Sequence, residues 1–382
     1  MLFMKYCKKC LYPDTKPQLV FNENGVCSAC SNSDLKEKIN WDEKEKELQG
    51  ILEEFKSKDG SNYDCIIPVS GGKDSTFQTY VIKKIYGLNP LVVNFHPLDQ
   101  TEIGKKNLES LKKIGVDCIE FSPNPEVYQK LAKYGLEELG DYQWPEHLGI
   151  FTVPVQIATK YEIPLIIWGE NPQLEYGKPT DIDKETILDK EWLEKNGGFF
   201  LDKIKPEDMT KYGFTKNELK PYLYPNNEEI KKIGVRGIFL GSYIKWDIFK
   251  QLELVKTLGF SENEDVKEGT YDKWENLDVF FTVFHDYFKF LKYGFGRTTD
   301  HVSIEIRYGR ITRHEGILLV KEHEGKIPRK FFKNFLESAK ITEEEFHNIC
   351  DKFTNKELFL TDQDGNLIKD IDGNLTLKND IL

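Results

Sequence analysis

The stretch Asp64-Cys-Ile-Ile-Pro-Val-Ser-Gly-Gly-Lys-Asp-Ser75 decides how the rest of this chain is read. Its first half, Asp64 to Val69, is a short apolar run of the kind that forms a buried strand. Its second half, Ser70 to Ser75, carries two adjacent glycines, two hydroxyls and a lysine. A helical pattern follows, with Phe77, Val81 and Ile85 at i, i+4 and i+8 and Gly87 closing it. Strand, glycine loop and helix in that order let backbone N–H groups and a helix N-terminus cradle phosphates. Gly71 and Gly72 allow close backbone approach, Ser70 and Ser75 offer hydroxyls, and Lys73 offers a cation. The spacing fits neither GxxxxGK followed by Ser or Thr nor GxGxxG, so the two commonest nucleotide loops are excluded.

Further strand–helix units flank this stretch. Pro90 to Phe95 reads as a strand and Glu102 to Ile114 as a helix; Val116 to Phe121 and Pro125 to Leu139 repeat the pair. Ile150 to Tyr161 reads as a helix and Ile163 to Trp168 as a strand. Arg236 to Leu240 reads as another strand, with a helix ending near Leu258. Such alternation specifies an α/β fold with a parallel sheet covered on both faces. Ligands in these sheets bind at the carboxyl ends of strands. That singles out Asn94 and His96, then Gly169, Glu170 and Asn171, and later Gly241 to Tyr243.

The chain has 382 residues, a length that suggests two or three domains. It is 39% hydrophobic and 31% charged, as ordinary globular proteins are. With 53 Lys and Arg against 64 Asp and Glu, its net charge is −11, which speaks against a dedicated nucleic-acid binder. No run approaches the roughly 18 apolar residues of a membrane helix, and Met1 to Lys9 lacks an apolar signal region, so the expected compartment is the cytoplasm and no membrane contact is expected.

Four of the seven cysteines form two CxxC knuckles, Cys7/Cys10 and Cys27/Cys30, sixteen residues apart. That is the spacing of a four-thiolate Zn²⁺ site, and four protein ligands leave no open position, so the site is expected to be structural. Leu48, Ile51, Leu52 and Phe55 then mark an amphipathic helix linking this ribbon to the main domain. Cys65, Cys118 and Cys350 lack a nucleophile context, and the first two read as buried strand residues.

The hexapeptide Ser70 to Ser75 resembles the SGGxDS loop of the PP-loop ATP pyrophosphatases, an adenine nucleotide alpha hydrolase-like fold. The flanks narrow the resemblance: Tyr6-Cys-Lys-Lys-Cys-Leu-Tyr-Pro-Asp-Thr15, Gly25-Val-Cys-Ser-Ala-Cys30, Trp168-Gly-Glu170 and Gly294-Phe-Gly-Arg-Thr-Thr-Asp-His301. Together, over roughly residues 5 to 325, they are similar to the N-acetyl sugar amidotransferases. These serve lipopolysaccharide and flagellin glycan biosynthesis, including acetamidino sugars of the pseudaminic and legionaminic acid type. The resemblance implies conversion of an acetamido to an acetamidino group on an N-acetylated sugar or nucleotide sugar. ATP would adenylate the amide oxygen and ammonia would displace AMP, with Mg²⁺ and cationic side chains offsetting charge on pyrophosphate. It assigns Ser70, Gly71, Gly72, Asp74 and Ser75 to the phosphates, with Lys73 in the variable slot as an added cation. Asp74 is placed to orient the loop or help hold Mg²⁺. Asn94, His96 and Gly169 go to the ATP pocket. No glutaminase is evident, so a separate glutaminase with an ammonia-conducting subunit is implied as partner; free ammonia is the alternative source.

Arg297, grouped with Asp300 and His301 after two glycines, is the candidate phosphate contact and catalytic cation. Arg307, Arg310 and Arg313 extend a cationic surface or form ion pairs. Glu170, Asn171, Tyr243, Lys245, Trp246 and Asp300 are the substrate candidates; for Tyr243, Lys245 and Trp246 the competing reading is core aromatics with a solvated lysine. The expected organisation is a four-cysteine zinc ribbon over 1–40, a linker helix over 41–60 and the PP-loop domain over 61–260, with an insertion at about 172–234. A mostly helical C-terminal α+β region covers 261–382, ending in two Asp-Gly-Asn hairpin turns. A tRNA-modifying enzyme of the same superfamily is the alternative function; the acidic charge and the lack of a sulfur-carrying cysteine weigh against it.

Overall fold

A computed structural model describes residues 4–177, 187–188 and 204–378. Most of the expected 172–234 insertion's first half thus lies outside the described residues. The centre is a six-stranded sheet: β1 (Cys65–Pro68), β2 (Pro90–Phe95), β3 (Asp117–Phe121), β4 (Leu165–Trp168), β5 (Ile187–Leu188) and β6 (Arg236–Phe239). Their order is β3-β2-β1-β4-β6-β5. Five strands are parallel, and the two-residue β5 closes the edge antiparallel to β6. The order turns back between β1 and β4, which meet at Ile66 and Ile166. In open parallel sheets that switch point opens a crevice beyond the strand ends.

The strand sequences show why both faces are covered. Successive side chains point to opposite sides of a sheet. Cys65, Ile67, Val92, Leu165, Ile167 and Ile238 join one apolar cluster; Ile66, Leu91, Val93, Ile166 and Phe239 join another. The first cluster is roofed by α2 (Trp41–Phe55) through Leu48 and Leu52, by α3 (Lys73–Tyr80) and by α4 (Glu102–Lys112). The second is roofed by α5 (Pro125–Tyr134) and α6 (Trp144–Tyr161), and runs on without a break into the C-terminal helices Thr282–Tyr293, Phe332–Ala339 and Glu343–Phe353. Phe284 and Phe335 stack there with ring centres 3.9 Å apart. Cys118, expected to be buried, is half-buried, because β3 is an edge strand.

Two local departures have clear causes. The helix after the glycine loop passes into a π-helical turn over Val81–Ile85. The wider turn rotates the register, so Val81 and Ile82 face the core while Ile85 is 59% exposed. Helix α6 begins at Trp144, six residues before the expected start; Pro145 sits in its first turn, where a proline has no amide bond to lose. Both Asp-Gly-Asn tail turns form, with Gly365 and Gly373 at φ +81° and +84°. Among the described residues no helix is long and apolar enough to cross a membrane.

Candidate active site at the switch point of the sheet

The loop Ser70 to Gly72 leaves the carboxyl end of β1 beside that of β4. Gly71 has φ +87°, and a Cβ there would lie 2.7 Å from the Leu108 amide nitrogen, so only glycine closes this turn. Gly72 caps α3 with no side-chain hydrogen bond to the first-turn amides. The amides at the positive end of the helix macrodipole are therefore left without a capping side chain from Gly72. Ser75 and Thr76 turn their hydroxyls back onto the Gly72 carbonyl at 3.2 and 2.9 Å, stiffening the turn.

A cavity of about 510 Å³ opens over this loop. Ser70, Gly72, Asp74 and Ser75 form part of its wall; Asn94, Gly169 and Glu170 line it as the sequence indicated. Asn94 donates to the Val69 carbonyl at 2.7 Å, and its buried Oδ1 has no hydrogen-bond partner among the described residues. Phe95, Ile150, Phe151, Trp168 and Phe239 supply an apolar part of the wall, with Phe151 and Trp168 stacked at 4.8 Å. A phosphate-binding loop next to an aromatic-lined space suits a nucleotide.

Charge here is unbalanced. The Lys73 ammonium is buried, 2.5 Å from Asp74 and 2.9 Å from Glu275, and 4.9 Å from the Trp274 ring centre. Burial works against this cation, but Asp74, Glu275 and Glu170 raise its pKa above the ordinary lysine value. Burial, with Asp74 and Glu275 nearby, pushes the Glu170 carboxyl up to about 8. Burial would also raise Glu275, but Lys73, His301 and Arg297 hold it at about 2. Asp74 Oδ1 is shielded and has no hydrogen-bond partner among the described residues. One lysine thus serves several carboxyls, and unspent oxygen donors face the cavity. That donor chemistry fits Mg²⁺, a hard cation bound by one or two carboxylates together with phosphate oxygens.

Several expected site residues stand elsewhere. Lys73 does not line the cavity; it is locked between carboxylates behind the loop. His96 does not line it either: its amide pairs with the Phe121 carbonyl at 2.8 Å, and its neighbours Phe95 and Pro97 form the wall. Arg297 is clamped on Asp286 by two bonds of 2.8 and 3.1 Å, lies 4.0 Å from Glu275 and does not line the cavity. Asp300 is an ion-pair partner of Lys16 and Lys289. Asn171 is buried and donates to Ser242 at 3.0 Å. Tyr243 and Trp246 are core residues; Trp246 packs edge-on against Phe77 beneath Gly169. Lys245 pairs with Glu37 at 3.0 Å on the surface. Nor do the later arginines form a cationic face: Arg307 donates to the Glu175 carbonyl, Arg310 lies over Phe249 and Arg313 donates to the Cys10 carbonyl.

Other wall residues carry no local sequence signal. Asp278, in the wall, and Glu275, which pairs with Lys73 and does not line the cavity, belong to an aperiodic segment about 200 residues after the loop. That segment is pinned over the mouth because the Thr101 amide donates to the Asp278 carbonyl at 2.9 Å. Gly104 lets it approach; a Cβ there would be 2.6 Å from the Asp278 Cα. Glu146, on α6, also lines the cavity.

The ribbon stands next to this site. Its four cysteines are fully buried, with Cys7–Cys30 and Cys10–Cys27 sulfurs 3.9 and 3.6 Å apart. A tetrahedral Zn²⁺ at about 2.3 Å from each sulfur requires separations of about 3.8 Å, so the set fits that ion. Helix α1 (Ser28–Lys36) rises from the second knuckle and packs on α7 (Pro172–Tyr176). Lys36 and Glu175 form a buried ion pair at 2.5 Å, and the Tyr176 hydroxyl donates to Glu170 at 3.3 Å. The first knuckle holds the Arg297–Arg307 helix through Leu11 N–H to Ser303 Oγ, 3.3 Å. The ribbon thereby joins the segment carrying Glu170 to the helix carrying Arg297.

Residues 268–372 match a family model described as LPS biosynthesis protein WbpG-like, C-terminal domain. The match covers the Arg297–Arg307 helix and the C-terminal helices but not the phosphate loop. An uncharacterized protein of Methanocaldococcus jannaschii is 33% identical over 106 residues, 27% of this chain. This chain spans 36% of that relative's length. Among solved structures, NMN synthetase from Francisella tularensis aligns over 73% of this chain and 96% of its own, with 15% identity and a TM-score of 0.34.

Proposed function

We propose that this chain is an ATP-dependent amidotransferase that converts the acetamido group of an N-acetylated, nucleotide-activated sugar to an acetamidino group in surface-glycan biosynthesis. The observation that carries the reading is the uncapped start of α3, with its SGGKDS loop, facing a 510 Å³ cavity at the switch point of a parallel sheet. The match of residues 268–372 to a lipopolysaccharide-biosynthesis domain supports a glycan substrate.

An amide oxygen is a poor leaving group. In the proposed reaction it attacks the α-phosphorus of ATP, pyrophosphate departs, and an AMP-imidate results. Ammonia then adds at the imidate carbon and AMP leaves. The ammonia would come from a separate glutaminase with an ammonia-conducting subunit. The α3 amides with Ser70 and Ser75 would hold the phosphates, where fixed dipoles need no reorganisation as charge develops. Asp74 and Glu170 would hold Mg²⁺, which when bound offsets charge on the departing pyrophosphate. Lys73 and Glu275 position Asp74 from behind, and Arg297 fixes Glu275. Zn²⁺ on Cys7, Cys10, Cys27 and Cys30 would be structural.

The test is incubation with ATP, Mg²⁺, ammonium and a panel of N-acetylated nucleotide sugars, following AMP, pyrophosphate and product mass. One sugar should give AMP coupled to a mass loss of about one unit, since NH replaces O and leaves an amidine donor group. Asp74→Asn should lower AMP formation on the order of 10²-fold or more, with the fold retained. AMP release stimulated by tRNA and by no sugar would overturn the proposal in favour of RNA modification.

A further inference from the structure

A second group of ligand atoms lies behind the cavity wall. Asp141 follows Gly140, whose backbone is left-handed at φ +60°, and leads into α6. Its amide donates to the Gly135 carbonyl at 3.0 Å, and a Cβ on Gly135 would lie 2.4 Å from the Asp141 carbonyl oxygen. The backbone at Asp141 is therefore fixed by close packing. Its carboxylate is buried and accepts from the Gln143 amide at 2.9 Å. His147 on α6 and His285 on the Thr282–Tyr293 helix close on that carboxylate from two elements far apart in sequence. His285 Nδ1 is 2.9 Å from Oδ1 and His147 Nδ1 is 3.7 Å from Oδ2. The two rings stand edge to face at 5.1 Å. One donor atom from each of the three residues falls within 4.8 Å of the others.

We propose that Asp141, His147 and His285 form a second metal site, distinct from the four-cysteine ribbon, for a first-row transition dication of the Zn²⁺ type. Metal–ligand bonds of about 2.0–2.1 Å in tetrahedral geometry place neighbouring donor atoms about 3.3 Å apart; His285 Nδ1 lies 2.9 Å from Oδ1 and His147 Nδ1 3.7 Å from Oδ2, so a small rotation of the carboxylate would offer one oxygen to both rings. Two imidazoles and one carboxylate select zinc or its neighbours over Mg²⁺ or Ca²⁺, which prefer oxygen alone. The histidines are 29% and 28% exposed while Asp141 is 6% exposed, so an ion could reach the group from the histidine side. On both rings Nδ1 is the nitrogen that faces the carboxylate. Binding through Nδ1 would leave the ring proton on Nε2.

The place in the fold gives the site a role. Gln143, which donates its amide to Asp141, also donates its side chain to Glu146 at 3.1 Å and Thr282 at 3.2 Å. A bound ion would fasten the first turn of α6, which carries the wall residue Glu146, to the helix carrying Asp286, the anchor of Arg297.

Cobalt substitution tests this independently of any sugar chemistry. The purified 382-residue chain, stripped and titrated with Co²⁺, should bind two equivalents. One should show sulfur-to-cobalt charge-transfer absorption from the ribbon; the other should add only the weaker ligand-field bands of a nitrogen and oxygen site. His147→Gln with His285→Gln should lose the second equivalent and keep the first. His147→Gln alone serves if the double variant fails to fold, and should lose the same bands. A second equivalent that survives these substitutions, or a wild-type chain that binds one equivalent with the thiolate signature alone, would overturn the proposal.

Discussion

The protein holds two buried sets of acidic ligands near each other, and they differ in completeness. At the ribbon, four sulfurs converge at 3.6 and 3.9 Å with no substrate-sized opening between them. At the phosphate loop, Asp74, Glu170 and Glu275 surround one lysine, and they do not converge as the sulfurs do. A closed four-ligand set defines a complete coordination shell and ties its ion to folding. An open set of carboxyls leaves positions for phosphate oxygens, so its ion belongs to the substrate complex. The first set should govern stability and the second should oppose it.

The largest expected effect is at the closed set. Cys27→Ser should lose the bound zinc and undock α1 from α7. Structural zinc binding is worth on the order of 10 kcal/mol, comparable to a domain's whole stability. The measurement is zinc content with thermal unfolding: zinc falls below one ribbon equivalent, and Tm falls by more than about 10 °C or the chain becomes insoluble. An unchanged Tm with zinc lost would mean the thiol set is dispensable and the contrast fails.

The open set should behave in the opposite sense. Glu170 in the folded chain titrates at about 8, above its ordinary value, because burial and the neighbouring Asp74 disfavour its charge. A carboxyl raised in the folded state stabilises fully below its unfolded pKa of about 4.3, and that stability is lost as pH rises through the folded pKa. Glu170→Gln removes the charge and keeps an acceptor for Tyr176. Without nucleotide or Mg²⁺, wild type and variant should melt together near pH 5. At pH 9 the variant should melt a few degrees higher while AMP formation is lost. Parallel melting curves at both pH values would show that Glu170 carries no unbalanced charge.

How legible these two regions were follows from how local their signals are. Both CxxC knuckles and the SGGKDS hexapeptide are short, and each nearly dictates its own geometry: two-residue gaps aim two sulfurs at one point, and Gly71 permits a turn that Leu108 closes to any side chain. The buried strands are equally plain, since β4 is a continuous apolar run and β2 is one but for Asn94. Glu275, Asp278 and Glu146 gave no such signal, because their place depends on an aperiodic segment crossing the mouth and on a helix whose first turns contain Trp144 and Pro145. Arg297 and Asp300 read as a polar group after two glycines, but composition does not reveal that Asp286 and Lys289, one helix earlier, claim them. Tyr243 and Trp246 looked like a sugar platform for the same reason that they are good core: large apolar rings. The 3₁₀ turn Leu240–Ser242 after β6 carries them into the apolar cluster under the loop, where Trp246 packs on Phe77.

Lys245 carries the smallest prediction and the sharpest test of where the ribbon's role ends. It lies on the ribbon side of the molecule, paired with Glu37 just beyond α1, and both side chains are exposed. Exposed pairs contribute about 0–1 kcal/mol, because water screens the attraction and ordering two long side chains opposes it. Lys245→Ala should therefore shift Tm by no more than about 2 °C and leave KM for the sugar unchanged. A tenfold rise in KM with an unchanged Tm would place substrate against this surface. The ribbon would then be part of the binding site, and the division between an ion for folding and an ion for reaction would no longer follow the boundary between the two ligand sets.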